Sequence, residues 1–271
     1  MFLIFRNADE LSPGLRILLE EGEVAHARAR RLGPGSTVYA GDGQFRRWKG
    51  ELTWEGKKSA YVTLGASCIE NREPERLVVC AIPKSGRRDW MIEKATELGM
   101  TELIPCQFHR SVREKISHPR FDRIVREASA QCEAWKLPVL SEPADSQKLP
   151  DLLAHRMQQG YHILILDIVE EDGPVRPGQS LLRHSPGPTL WTPPSGPAES
   201  PGAVSDMDAN GAVLIVGPEG GFSPGEREVL QELCNKHPDR GAFLQMGSRV
   251  LRTETAVLAG LTYLSISRVS N

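Results

Sequence analysis

The run from Leu214 to Glu226, LIVGPEGGFSPGE, constrains this chain more than any other stretch. Ala212 to Val216 is apolar and β-branched, with the length of a buried strand. Gly217, Gly220 and Gly221 then turn the chain with little side-chain bulk. Ser223 can cap a following helix, Pro224 suits its first position, and Glu226 completes a capping box. Strand, glycine turn and helix start are how an α/β protein builds a ligand site at the carboxyl end of a strand. The pattern comes twice. Ala242 to Gln245 reads as a strand, Met246 to Arg252 as a loop, and Thr253 as the cap of a helix from Glu254 to about Ser267. That helix carries Ala256, Val257, Leu258, Ala259, Leu261, Leu264 and Ile266. An apolar face this wide is buried in the core or in a dimer interface.

The remaining chain divides at a charged connector, Asn71 to Arg76. Before it lie short strands: Phe2 to Phe5, Thr37 to Ala40, Phe45 to Trp54 and Ala60 to Leu64. Turn signals at Gly33–Gly35, Gly41–Gly43 and Glu55–Lys57 separate them, and His26 to Leu32 can form a short helix. Strands so short and frequent suggest a small barrel. After the connector the periods lengthen. Leu77 to Ile82, Leu103 to Cys106 and His162 to Leu166 read as buried strands. Asp89 to Leu98, Arg120 to Ala134 and Leu149 to Gly160 read as helices. That alternation predicts an α/β domain on a mostly parallel sheet. Glu170 to Asn210 is rich in Pro, Gly and Ser and reads as an extended loop.

With 271 residues, 39% hydrophobic and 25% charged, two globular domains are expected. No apolar run reaches a membrane span, and Met1 to Phe5 is too short for a signal peptide, so the expected location is cytoplasmic. The five cysteines form no CxxC pair, which predicts ordinary thiols and no zinc site. The net charge of −2 hides an asymmetry. Residues 26–58 hold eight Lys/Arg against three Asp/Glu, residues 84–126 ten against six, and residues 139–239 six against fifteen. A basic face for nucleic acid and an ordinary solvated surface both fit that count.

The glycine turn excludes some ligands. There is no GxxxxGK[ST] motif, and Glu219 stands where a phosphate cradle needs a cation. There is no GxGxxG either. A carboxylate beside bare glycine backbone suits a neutral or cationic ligand, such as an adenosine bearing a sulfonium, although a plain tight turn accounts for the glycines as well.

Five stretches together resemble one family. They are GPEGGF at 217–222, MGSRVLRTETA at 246–256, KSGRRDWMIEKATELG at 84–99, RIVREASAQC at 123–132, and Arg28 to Gly35 with Gly41–Gly43. In this order they are similar to RsmE-type ribosomal small-subunit RNA methyltransferases of the SPOUT superfamily. The resemblance implies a PUA-like RNA-binding β-barrel over residues 1–72. It implies a SPOUT α/β domain with a trefoil knot over residues 73–271, including the 170–210 loop. The implied reaction is methyl transfer from S-adenosyl-L-methionine to N3 of uridine U1498 in 16S rRNA, by a homodimer and without a metal. In such a site the cofactor would be wrapped by Leu166, Gly217, Pro218, Glu219, Gly220, Gly221, Met246, Gly247, Val250, Leu251 and Thr255. Arg252 would stabilise the uracil anion or orient the base, and Glu254 or Glu219 would take the proton. Arg6, Arg28, Arg31, Lys84, Arg88, Lys94 and Arg110 would meet phosphates.

Three departures from the family pattern stand out. Gln131 to Lys136 lacks the arginine expected after Gln-Cys, Asp167 to Glu171 replaces a short polar turn, and Ser248 replaces Pro or Gly. Cofactor motifs do not specify the base, so a SPOUT enzyme for another RNA site remains open, as does a ribosome-binding protein without catalysis.

Overall fold

The computed structural model describes residues 2–56, 58–69, 74–167, 211–247 and 249–266. The loop expected at 170–210 and the departure at Ser248 lie outside the described residues. In chain order the elements are β1 (Leu3–Phe5), β2 (Arg16–Leu18), α1 (Glu21–Ala29), β3 (Thr37–Gly41), β4 (Arg46–Glu55), β5 (Ser59–Ile69), β6 (Glu75–Cys80), α2 (Ser85–Glu97) and β7 (Glu102–Gln107). They continue with α3 (His118–Cys132), β8 (Val139–Leu140), β9 (Ala144–Asp145), α4 (Leu149–Gln158), β10 (His162–Leu166), β11 (Gly211–Val216), α5 (Pro224–Lys236), β12 (Gly241–Leu244) and α6 (Thr253–Ile266).

Contacts divide the chain into two compact units, residues 1–73 with 118–138, and residues 74–117 with 139–271. The sequence reading sets everything after residue 72 in one domain. Instead α3 packs on β1 in the first unit. Its stripe of Phe121, Ile124, Val125 and Ala128 announces a buried face, but periodicity does not say which surface covers it.

The first unit is a five-stranded sheet in the order β1-β3-β4-β5-β2, antiparallel except where β1 pairs with β3. Burial alternates along β4 at Trp48, Gly50 and Leu52, the two-residue period of a strand with one wet face. The pairing with β5 shifts register between Trp48 and Gly50, and Arg47, on the opposite face from Trp48, is buried as well. Arg47 is 1% exposed. Its guanidinium stacks 3.9 Å from the Trp135 ring and donates to the Glu133 carbonyl. Phe2, Ile4, Val24, Val38, Leu52, Val62 and Leu64 share one core.

The second unit is a parallel sheet in the order β12-β10-β11-β6-β7-β8, with β9 also beside β7. Leu77, Val79, Ile163, Ile165, Val213 and Ile215 point to one face, where α4 and α5 supply Leu153, Met157, Leu230 and Leu233. On the other face α2 and α6 pack together, and α6 lies on β11 and β6. There Gly260 of α6 sits so close that a Cβ would meet Leu214 at 2.6 Å. Strand order matters for the site. The chain reaches β10, inserts β11 between β10 and β6, and then adds β12 on β10's outer side. The loops after β11 and β12 therefore flank the end of β10. Such a reversal opens a crevice at the carboxyl ends of the strands. Among the described residues no helix is long and apolar enough to cross a membrane.

Candidate functional site

Leu166, Val216 and Leu244 are the last residues of β10, β11 and β12, and they form the floor of a cavity. The walls are the two following loops. Gly217, Pro218, Glu219, Gly221 and Phe222 come from the first, and Gln245, Met246, Gly247, Arg249, Val250 and Leu251 from the second. Thr253 and Ala256 of α6 close one side, and Asp167 extends the end of β10. The cavity volume is about 80 Å³, below the roughly 300–1,000 Å³ of small-molecule sites.

The first loop is shaped locally. Gly221 has φ +68°, in the left-handed region that glycine enters without strain. Pro218 accepts the Gly221 N–H at 2.8 Å. Ser223 caps α5 by accepting the Glu226 N–H at 3.3 Å, and the Glu226 carboxylate accepts the Ser223 N–H at 2.8 Å. That carboxylate also accepts the His109 N–H at 2.8 Å. Burial pushes the Glu226 carboxyl up, but the N–H donors of His109 and Ser223 outweigh it and hold it below the ordinary carboxylate range. From outside, Arg110 donates to the Gly220 carbonyl at 2.9 Å.

The second loop is tied across to the first. Thr253 is the first residue of α6 rather than its cap, and its buried hydroxyl donates to the Gly217 carbonyl at 3.2 Å. Glu254 is 5% exposed. Its Oε1 lies 3.5 Å from Arg87 Nη1, and the same nitrogen contacts Glu219 Oε1 at 2.5 Å. Asp167, at the cavity edge, pairs with Arg227 at 2.9 Å.

Of the residues expected around a cofactor, Leu166, Gly217, Pro218, Glu219, Gly221, Met246, Gly247, Val250 and Leu251 line this cavity. Gly220 stands outside the lining, against the Arg110 side chain. Thr255 is exposed on α6 and does not line the cavity, whereas Thr253 does. Arg252 is exposed beside Leu251, and Glu254 is buried against Arg87. Asp167, Phe222 and Thr253 line the cavity without being named for it by the sequence pattern, and Arg87, which contacts Glu219 and Glu254, is not singled out by it either. The doubled arginine at 87 and 88 was the available signal, but it does not say which one faces the loops.

The seven basic residues expected to meet phosphates fall into two sets. Arg28, Arg31 and Lys84 are exposed. The other four are engaged: Arg6 donates twice to Glu23 at 2.8 and 2.6 Å, Arg88 is buried and donates to the Lys115 carbonyl, Lys94 pairs with Glu93 and Glu97, and Arg110 holds Gly220. A groove in the first unit is lined by Arg6, Arg123 and Arg126 but also by Glu10, Glu20, Glu23 and Glu127. The basic excess in the sequence is thus largely neutralised there.

Cys80, Cys106 and Cys234 are buried, and Cys68 and Cys132 are exposed. Burial pushes the Cys106 and Cys234 thiols up to about 12, which keeps them protonated and unreactive. Among the described residues no group of three His, Cys, Asp or Glu is placed to hold a metal ion.

A family profile described as "RNA methyltransferase domain" matches residues 71–182 and 192–265, more than half of the chain. Ribosomal RNA small subunit methyltransferase E of Bacillus subtilis is 29% identical over 206 residues, 72% of this chain and 68% of that protein. The protein of that name from Mycobacterium bovis is 28% identical over 244 residues, 87% of this chain and 80% of the other. The crystal structure of ribosomal RNA small subunit methyltransferase E from Neisseria gonorrhoeae, bound to S-adenosyl methionine, superposes with a TM-score of 0.70 at 22% identity. It covers 98% of this chain and 97% of the other. At that identity the likeness shows a shared fold.

Proposed function

Because the chain belongs to the RNA methyltransferase domain family, we propose that it transfers a methyl group from S-adenosyl-L-methionine to N3 of a uridine in 16S rRNA, U1498. The observation that carries this reading is the cavity itself, closed by two glycine-bearing loops at the ends of three adjacent parallel strands. The lining suits that cofactor. A Cβ on Gly217 would come 3.2 Å from the Phe222 ring, so the backbone is left bare for close approach. Leu166, Val216, Leu244, Met246 and Leu251 offer apolar walls to an adenine, and Asp167 and Glu219 offer carboxylates to hydroxyls and to a cation.

S-adenosyl-L-methionine brings its methyl group already activated on a sulfonium. The protein's task is to hold the acceptor nitrogen in line and to accommodate loss of its proton. Arg252, exposed beside the cavity wall, is assigned to the uracil, where its charge stabilises the anion left by the departing N3 proton. Both carboxylates contact Arg87, but Glu254 is buried whereas Glu219 is exposed and lines the cavity, so Glu219 is the more accessible of the two to receive that proton.

The finer architecture is part of the same proposal. The first unit, residues 1–73 with 118–138, is a PUA-like barrel for RNA with α3 added to it, the second unit is a SPOUT domain whose cofactor loops are knotted, and the working unit is a cytoplasmic homodimer acting on the small ribosomal subunit. Arg28, Arg31 and Lys84 are the phosphate contacts that exposure supports. Methyl mapping of 16S rRNA from a deletion strain tests the reading. Loss of the N3-methyluridine at that site, restored by the wild-type protein but not by Arg252→Ala, is the expected result. A methyl lost elsewhere would mean another RNA target. Failure of the purified protein to bind the cofactor in a calorimeter would favour a ribosome-binding protein without catalysis.

A further inference from the structure

Arg87 lies on the first turn of α2, outside both loops, yet it touches the first loop and the start of α6. Its Nη1 is 2.5 Å from the Glu219 carboxylate of the first loop and 3.5 Å from the Glu254 carboxylate, just past the second. The two carboxylates differ sharply. Glu219 has a side chain 57% exposed, and that of Glu254 is 6% exposed. Glu254 Oε2 is buried with no hydrogen-bond partner among the described residues. An exposed pair contributes little by itself, because water and salt screen it. A buried carboxylate is costly unless a cation faces it. The guanidinium therefore serves the buried Glu254 and spends its second contact on the loop that carries Glu219.

We propose that Arg87 is a positioning residue that staples the first cofactor loop to the start of α6, and so sets the width of the cavity, rather than a phosphate contact. The consequence for affinity rests on the cofactor reading above. The staple itself rests only on the three side chains. Both contacts come from one nitrogen, Nη1, so a lysine ammonium keeps the charge there but, as a point on a flexible stem, holds it less firmly.

Two measurements on the full chain test this. In ligand-free protein, Arg87→Ala is expected to speed amide exchange in residues 217–221 and at the first turn of α6, with the strand amides of β6 and β11 unchanged. In calorimetry with S-adenosyl-L-methionine, the same variant is expected to weaken binding about tenfold. Glu219→Gln should weaken it less, and Arg87→Lys should recover part of the loss. Affinity for a 16S rRNA fragment, and the slope of its logarithm against log salt, should not move. If loop exchange and cofactor affinity stay at wild-type values while that slope falls by about one, Arg87 is a phosphate ligand and the proposal is wrong. Should Arg87→Ala fail to fold, Arg87→Lys and Glu219→Gln decide on the same readouts. A wild-type protein that binds no cofactor would sink the functional reading, while the exchange measurement would still decide the role of Arg87.

Discussion

The two loops that enclose the cavity are built in opposite ways. The first ends in a helix whose cap lies within four residues, with Ser223 and Glu226 satisfying each other's backbone and His109 adding a third N–H. The second ends in a helix whose first residue, Thr253, spends its hydroxyl on the Gly217 carbonyl of the other loop. One loop is shaped by its own sequence, and the other by docking on the first. Damage to the shared point should therefore spread to both walls, and damage to the local cap should stay local.

Gly217 is where they meet, and Gly217→Val should have the largest effect. Its branched side chain would run into Phe222, which is 4% exposed, at an overpacking cost of roughly 1–3 kcal/mol. It would also fill the cavity. Calorimetry should show cofactor binding lost, and a variant that binds normally would break the comparison. Thr253→Val comes next. It keeps the shape but removes the donor to a buried carbonyl, for about 1–2 kcal/mol by urea denaturation. Loop exchange should rise in both walls, and a rise confined to residues 245–252 would show that the cross-loop bond does not shape the first.

Glu226→Gln should be the mildest, about 1 kcal/mol at neutral pH, with cofactor affinity unchanged. Its pH dependence is the sharper test. The Glu226 carboxyl is held low in the folded protein. Its stabilisation is therefore fully present above the unfolded value of about 4.3, and it is lost as pH falls through the folded value. The stability gap between wild type and variant should close below about pH 4. A gap that stays constant with pH would mean that the charge of Glu226 contributes nothing.

The same contrast explains what could be read in advance. The Ser223 cap and the buried runs at 77–82, 162–166 and 212–216 are local patterns, and each became the element expected of it. The start of α2 did not. The sequence pattern starts that helix at Asp89, but it begins at Ser85 and Asp89 pairs with Arg88 inside it. β2, β8 and β9 are two or three residues long, too short for any period to show. Trp135 and Lys136, in the stretch that lacks the expected arginine, pack on Arg47 and Phe45 within the first unit.

What the sequence determined by itself was the material of the site: two loops with bare glycine backbone, one carboxylate where phosphate would need a cation, and an apolar closing helix. Residue type and spacing within a few positions suffice for that, because caps, turns and strand periods are short-range. What only the tertiary structure decided was which charges face each other. Arg87, Glu219 and Glu254 are separated by 132 and 167 positions from Arg87 along the chain, and Thr253 by 36 from Gly217. No local pattern carries such pairings. They exist because β11 is inserted between β6 and β10 and β12 is added outside, which brings the loops and α2 to one end of the sheet.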